Sequence, residues 1–159
     1  MIWAAFWKTI ILCGISIVIE AISATKSGKT WFEELKRPKY SFPLKVWYFV
    51  GAIYYLIFGI VAYRQFASGM DFRSTSIILL TAIMLINGLS NFIAFKYRAL
   101  KWFYLIIYPF AGLLFILIIM LFKLDDKLSA ILASLYFVWL FFDLYWAYNL
   151  WKLNDSKKR

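Results

Sequence analysis

Toward the end of the chain, Tyr136, Trp139, Asp143 and Trp146 follow one another at three- and four-residue steps. That spacing gathers side chains on one face of an α-helix. Further back, Asn87, Ser90 and Asn91 do the same. A face of aromatic rings with one carboxyl, set against a face of amides and a hydroxyl, suits one kind of chemistry: stacking on a flat apolar molecule and orienting it through a few polar groups. Each face also has a plainer use. Trp139 can be packing alone, and Asn87 and Asn91 can be hydrogen-bonding glue between helices, worth around 0.6 kcal/mol. Other chemistries find little support. The chain has no histidine and a single cysteine, Cys13, which argues against a zinc or other transition-metal site and against an imidazole base.

Two acids stand out because they interrupt apolar sequence. Asp143 lies well inside a greasy run, where a charged side chain costs about 2.5–3.5 kcal/mol on insertion scales, so it needs a partner or a wet cavity. It is a candidate ligand anchor or proton site. No Lys or Arg lies at matching depth, and the expected partners are tyrosine hydroxyls or the amides of Asn87 and Asn91. Glu20 lies nearer the end of its run and is expected to reach the membrane interface.

The elements that must position these residues follow from composition. The 159 residues are 64% hydrophobic and 22% aromatic, with a mean hydropathy of +0.75, far from an ordinary soluble domain. Five continuous apolar runs, about Met1–Ser23, Val46–Ala67, Thr75–Phe95, Trp102–Phe122 and Leu128–Leu150, each approach the roughly 20 residues that span a bilayer. Continuous runs favour helices over strands, because backbone polar groups must be satisfied within the segment. The first run is read as a span rather than a signal peptide, since Lys8 and Glu20 sit inside it and no charged segment precedes it. The fold class is therefore an all-α integral membrane protein, one domain over residues 1–159, built as a bundle of five transmembrane helices with a long structured first loop. Short connectors lead to the expectation that successive helices are antiparallel neighbours.

Thirteen of the 18 Lys and Arg residues fall on the side that carries the first loop and the carboxyl-terminal tail. The positive-inside tendency then places the amino terminus outside and the tail in the cytoplasm, in what we expect to be a bacterial cell membrane. The formal charge of +10 is read as topology and attraction to anionic lipid, not as a nucleic-acid surface. Leu144, Tyr148 and Lys152 match a loose sterol-recognition pattern, which here reads better as an interfacial anchor that includes Trp151.

The first loop, about Ala24–Lys45, contains Trp31-Phe-Glu-Glu-Leu-Lys-Arg-Pro-Lys-Tyr-Ser-Phe-Pro43. It is too apolar for a floppy linker and too rich in proline for a long helix. It is expected to fold over the bundle, either as an interfacial anchor or as the lid of a cavity. Its Thr30-Trp31-x-x-x-Leu35-x-Arg37-Pro38-x-Tyr40-x-x-Pro43, followed by Tyr55-x-x-x-Gly59, resembles the first-loop and second-helix signature of the TspO/MBR family, the tryptophan-rich sensory proteins and translocator protein. Asn87 with Phe95, the run Leu135-Tyr-Phe-Val-Trp139-Leu-Phe-Phe142, and the ending Leu150-Trp-Lys-Leu-Asn154 extend the resemblance over nearly the entire chain.

The resemblance implies a usually dimeric bundle that binds tetrapyrroles such as porphyrin or haem, or sterol-like lipids, beneath the first loop, sensing or transporting them and requiring no cofactor. The residues it points to are Trp31, Leu35, Pro38, Tyr40 and Pro43 in the loop, Gly51 and Tyr55 in the second span, and Asn87 and Asn91 in the third. In the fifth span, Tyr136, Trp139, Phe142, Asp143 and Trp146 complete the set. The chain also departs from the pattern. Gly51 stands where the family has a tryptophan associated with light- and oxygen-dependent porphyrin breakdown, although Trp139, its usual partner, is kept. The tryptophan usual just after Asn87 is missing, the aspartate expected early in the fourth span falls near Ile107 or Tyr108, and Leu135 replaces a proline. Binding is thus preferred over catalysis, in which Trp139 would be the residue at work. A membrane adaptor acting only through protein contacts would need no cavity at all.

Overall fold

A computed structural model describes residues 2–23 and 26–155 of the chain. In chain order its helices are α1 (Ile2–Ser23), α2 (Lys26–Glu33), α3 (Leu44–Ala67), α4 (Thr75–Phe95), α5 (Leu100–Lys123) and α6 (Lys127–Asp155). All but α2 are long and apolar enough to cross a membrane. The short α2 lies inside the first loop and stops before Pro38. The last span runs further than its apolar stretch suggested. At 1.5 Å per residue, the 29 residues of α6 cover about 43 Å, well beyond the ~30 Å of hydrocarbon. Part of α6 therefore extends beyond the apolar layer, and its last turn carries Asn154, which meets the first loop.

The expectation that successive helices pair holds for α1 with α3, α4 with α5, and α5 with α6, but α3 and α4 scarcely meet. Instead α1 inserts between them, and the ring of helices runs α1, α3, α6, α5, α4. Gly88 is what admits α1 against α4. A Cβ at that position would lie 3.1 Å from Ile19 Cγ2 and 3.3 Å from the Ser16 carbonyl oxygen, a close approach of the kind small residues permit between membrane helices. The contact is then fixed by Ser16, whose hydroxyl donates to the Met84 carbonyl at 2.7 Å.

Along its length the bundle is solid at one end and hollow at the other. The solid end is packed with Phe58, Val61, Leu80, Leu114, Leu117 and Leu121, none of them measurably exposed. Its outer rim is closed by Asp126. This residue accepts from Arg64 Nε at 2.9 Å and Gln65 Nε2 at 3.0 Å on α3, and from the backbone N–H of Ser129 at 3.3 Å in the first turn of α6. It thus caps one helix and ties down the end of another. At the opposite end, where α1, α4 and α6 finish and α3 and α5 begin, the helices surround a cavity.

Candidate functional site

The cavity occupies about 190 Å³, and every long helix contributes to its wall. Glu20 comes from α1, Gly51 and Tyr54 from α3, Asn87, Ser90 and Asn91 from α4, Phe103, Ile107 and Phe110 from α5, and Tyr136, Asp143 and Trp146 from α6. Gly51 is part of the reason the space exists. A Cβ built there meets no atom within 4 Å, so a larger side chain would project into the hollow.

The first loop forms the roof. From α2, Phe32 reaches down to the cavity, its ring 5.3 Å from that of Phe95 and 6.0 Å from that of Trp146. The preceding residue, Trp31, lies 5.8 Å from the Arg98 guanidinium, which also donates to the Ser27 hydroxyl at 2.9 Å. Beyond α2 the chain is fastened twice to α6. Asn154 bonds both backbone groups of Lys36, and the Trp146 indole N–H donates to the Ser41 hydroxyl at 3.0 Å. Leu35 and Pro38 are buried beneath the loop, whereas Tyr40 is exposed. The loop thus has an inward face that closes the cavity and an outward aromatic residue at the surface.

Both acids occupy this space. Glu20, in the last turn of α1, lines the cavity, and its Oε2 accepts from the Tyr55 hydroxyl at 2.6 Å. Tyr55 in turn lies 3.3 Å from the Ser16 hydroxyl, in a polar strip that joins α1, α3 and α4. Asp143 also lines the cavity, but neither the amides of Asn87 and Asn91 nor a tyrosine hydroxyl reaches it. Its Oδ1 is buried without a hydrogen-bond partner. The Trp139 indole N–H, one turn back on α6, is likewise buried without a hydrogen-bond partner.

Of the residues expected to hold a ligand, the structure brings Gly51, Asn87, Asn91, Tyr136, Asp143 and Trp146 together on the cavity wall. Trp31, Leu35, Pro38, Tyr40, Pro43, Tyr55, Trp139 and Phe142 are not on that wall. Trp139 lies behind it, its ring 6.4 Å from Phe42, 6.2 Å from Trp47 and 5.0 Å from Phe142. Sequence reasoning passed over Trp47, which lines the cavity with its ring 4.3 Å from that of Trp146. A signal was there: Trp47, Gly51, Tyr54 and Phe58 recur at four- and three-residue steps, the same rule that grouped the α6 residues. Phe32 and Phe103 offered no comparable pattern.

The arrangement combines ring surfaces, three amide or hydroxyl groups on α4 and two carboxyls. No Lys or Arg appears among the described residues that line it. Such a space can grip a flat molecule and receive hydrogen-bond donors from it. The model of the TspO/MBR family matches residues 9–152 of the chain. No curated protein matches it.

Proposed function

The chain belongs to the TspO/MBR family of membrane sensors and transporters, and on that premise we propose that it binds a flat, largely apolar ligand in the cavity beneath its first loop. The ligand class is tetrapyrroles or sterol-like lipids, and binding serves sensing or onward transport. The observation that carries this reading is the cavity itself, which draws its wall from all five spans and its roof from Phe32. Its 190 Å³ falls below the ~300–1,000 Å³ usual for ligand pockets. A tetrapyrrole therefore enters only if the roof lifts, and its acidic edge is best placed outward, toward the exposed Lys36, Arg37 and Lys39 of the loop. The same reading includes a homodimer, with the amino terminus outside and the basic loop in the cytoplasm.

The alternative, an enzyme that breaks down bound porphyrin under light, is disfavoured on two grounds. Gly51 supplies no indole, and the retained Trp139 is screened from the cavity by its aromatic neighbours. Adding protoporphyrin to the purified protein in darkness and in light separates the two readings. Saturable quenching of tryptophan fluorescence with a stable porphyrin spectrum is the expected result. Light-dependent loss of that spectrum, beyond its loss in empty micelles, would establish the enzyme instead, and absence of quenching would remove both.

A further inference from the structure

The chain carries a formal charge of +10, yet the inside of its cavity is acidic. Two of its eight acidic residues, Glu20 in the last turn of α1 and Asp143 near the middle of α6, line this one space. They arrive from helices at different places in the ring, and no described cation lines the wall with them. Glu20 already receives the Tyr55 hydroxyl. Asp143 is the incomplete member: its Oδ1 is buried and unpartnered. Such a carboxyl is costly inside a membrane protein unless something completes it.

We propose that the cavity is a cation-accepting site, in which the inward end of the ligand is a protonated nitrogen held by Asp143. The aromatic wall serves the same end. Trp47 and Trp146 line the cavity with ring centroids 4.3 Å apart, and Tyr54 and Tyr136 add further rings at 5.1 Å from one another. Aromatic rings attract cations through the negative potential of their faces, and more strongly where water is excluded. An ammonium on an aromatic body therefore meets both of its complements here, rings for the body and a carboxyl for the charge. A carboxylate at the same position would face the like charge of Asp143. This inference rests on the cavity being the ligand site, and within that reading it favours nitrogen-bearing ligands such as tetrapyrroles over sterol-like lipids, which carry no basic group.

Three probes of nearly equal size test it: 1-naphthylmethylamine, 1-ethylnaphthalene and 1-naphthylacetate, which are cationic, neutral and anionic near neutral pH. Equilibrium dialysis in a nonionic detergent, with binding to empty micelles subtracted, gives each affinity. The amine is expected to bind at least about tenfold more tightly than the neutral probe, as suits a hydrogen bond to a charged group, and the acid more weakly than either. In Asp143→Asn, which keeps the shape, the advantage of the amine over the neutral probe should collapse. Equal affinities for the three probes, or an advantage for the acid, would overturn the inference and leave the cavity reading standing. An amine advantage that survives Asp143→Asn would overturn the assignment to Asp143. Failure of the neutral probe to bind at all would overturn the cavity reading, and the inference with it.

Discussion

The side chain of Asn154 bonds both backbone groups of Lys36: its Oδ1 accepts from the Lys36 N–H at 3.0 Å and its Nδ2 donates to the Lys36 carbonyl at 3.0 Å. The two residues are 118 apart in sequence, and Asn154 is itself buried. One amide thus fastens the roof to the far end of the last helix. At about 1 kcal/mol for each hydrogen bond, Asn154→Leu should cost the closed loop about 2 kcal/mol. Hydrogen exchange at the Lys36 amide is expected to accelerate by about tenfold or more, with the far-UV helical signal intact. An unchanged exchange rate would mean that Phe32 and Trp146 hold the loop without this bond.

At the solid end of the bundle, Asp126 gives stability a dependence on pH. Partial burial pushes its pKa up, but donors on Ser129, Arg64 and Gln65 outweigh that effect and hold the carboxyl below its ordinary value of 3.8. A pKa lower in the folded than in the unfolded chain stabilises above the unfolded value, and the contribution is lost as pH falls through the folded one. Asp126→Ala should therefore lower the melting temperature in detergent near pH 7, through loss of a helix cap and a half-exposed ion pair together worth about 1–2 kcal/mol. The gap between parent and variant should close as pH drops below 3.8. A gap that stays constant down to pH 3 would assign the effect to packing.

Two glycines should respond in opposite ways to the same substitution. Gly88→Ala places a methyl 3.3 Å from the Ser16 carbonyl oxygen, which cannot move without shifting α1, and overpacking of this kind costs about 1–3 kcal/mol. Gly51→Ala meets nothing within 4 Å and gains up to about 1 kcal/mol in helix propensity. Thermal unfolding in detergent should show the first variant destabilised and the second level with the parent or above it. Equal behaviour of the two would contradict the close contact of α1 with α4.

Much of this was written in the sequence, because hydrophobic length and helical spacing are local properties. The five spans, the face shared by Tyr136, Asp143 and Trp146, and the inward turn of Asn87 and Asn91 all follow from them. The family resemblance added the roof. What could not be read is what depends on which helix lies beside which. That Glu20 pairs with Tyr55 could not be read, because Tyr55 sits on another helix and is brought to it by the insertion of α1 between α3 and α4. That insertion hangs on Gly88, a residue with no side chain to announce it. Asp143 was expected to find an amide or a hydroxyl, since both face the bundle from α3 and α4. The hollow between the helices keeps them apart, and only the packed structure contains a hollow. Trp139 drew attention by its type and by the resemblance, whereas burial behind Trp47 and Phe42 is a matter of tertiary contact.

Introducing the same phenyl ring at two glycines asks whether the hollow beneath the first loop is the ligand site. Gly51 lines it, Gly112 lies exposed on α5, and a Cβ at either meets nothing within 4 Å. Gly51→Phe fills the cavity, while Gly112→Phe adds the same surface outside it. The decisive measurement is the dissociation constant of protoporphyrin, read by saturable quenching of tryptophan fluorescence in darkness, for the parent and the two variants. The predicted result is a loss of about tenfold or more for Gly51→Phe, with Gly112→Phe matching the parent. Equal affinity in all three proteins would contradict a ligand site in the cavity and place any bound porphyrin on the outer surface of the bundle.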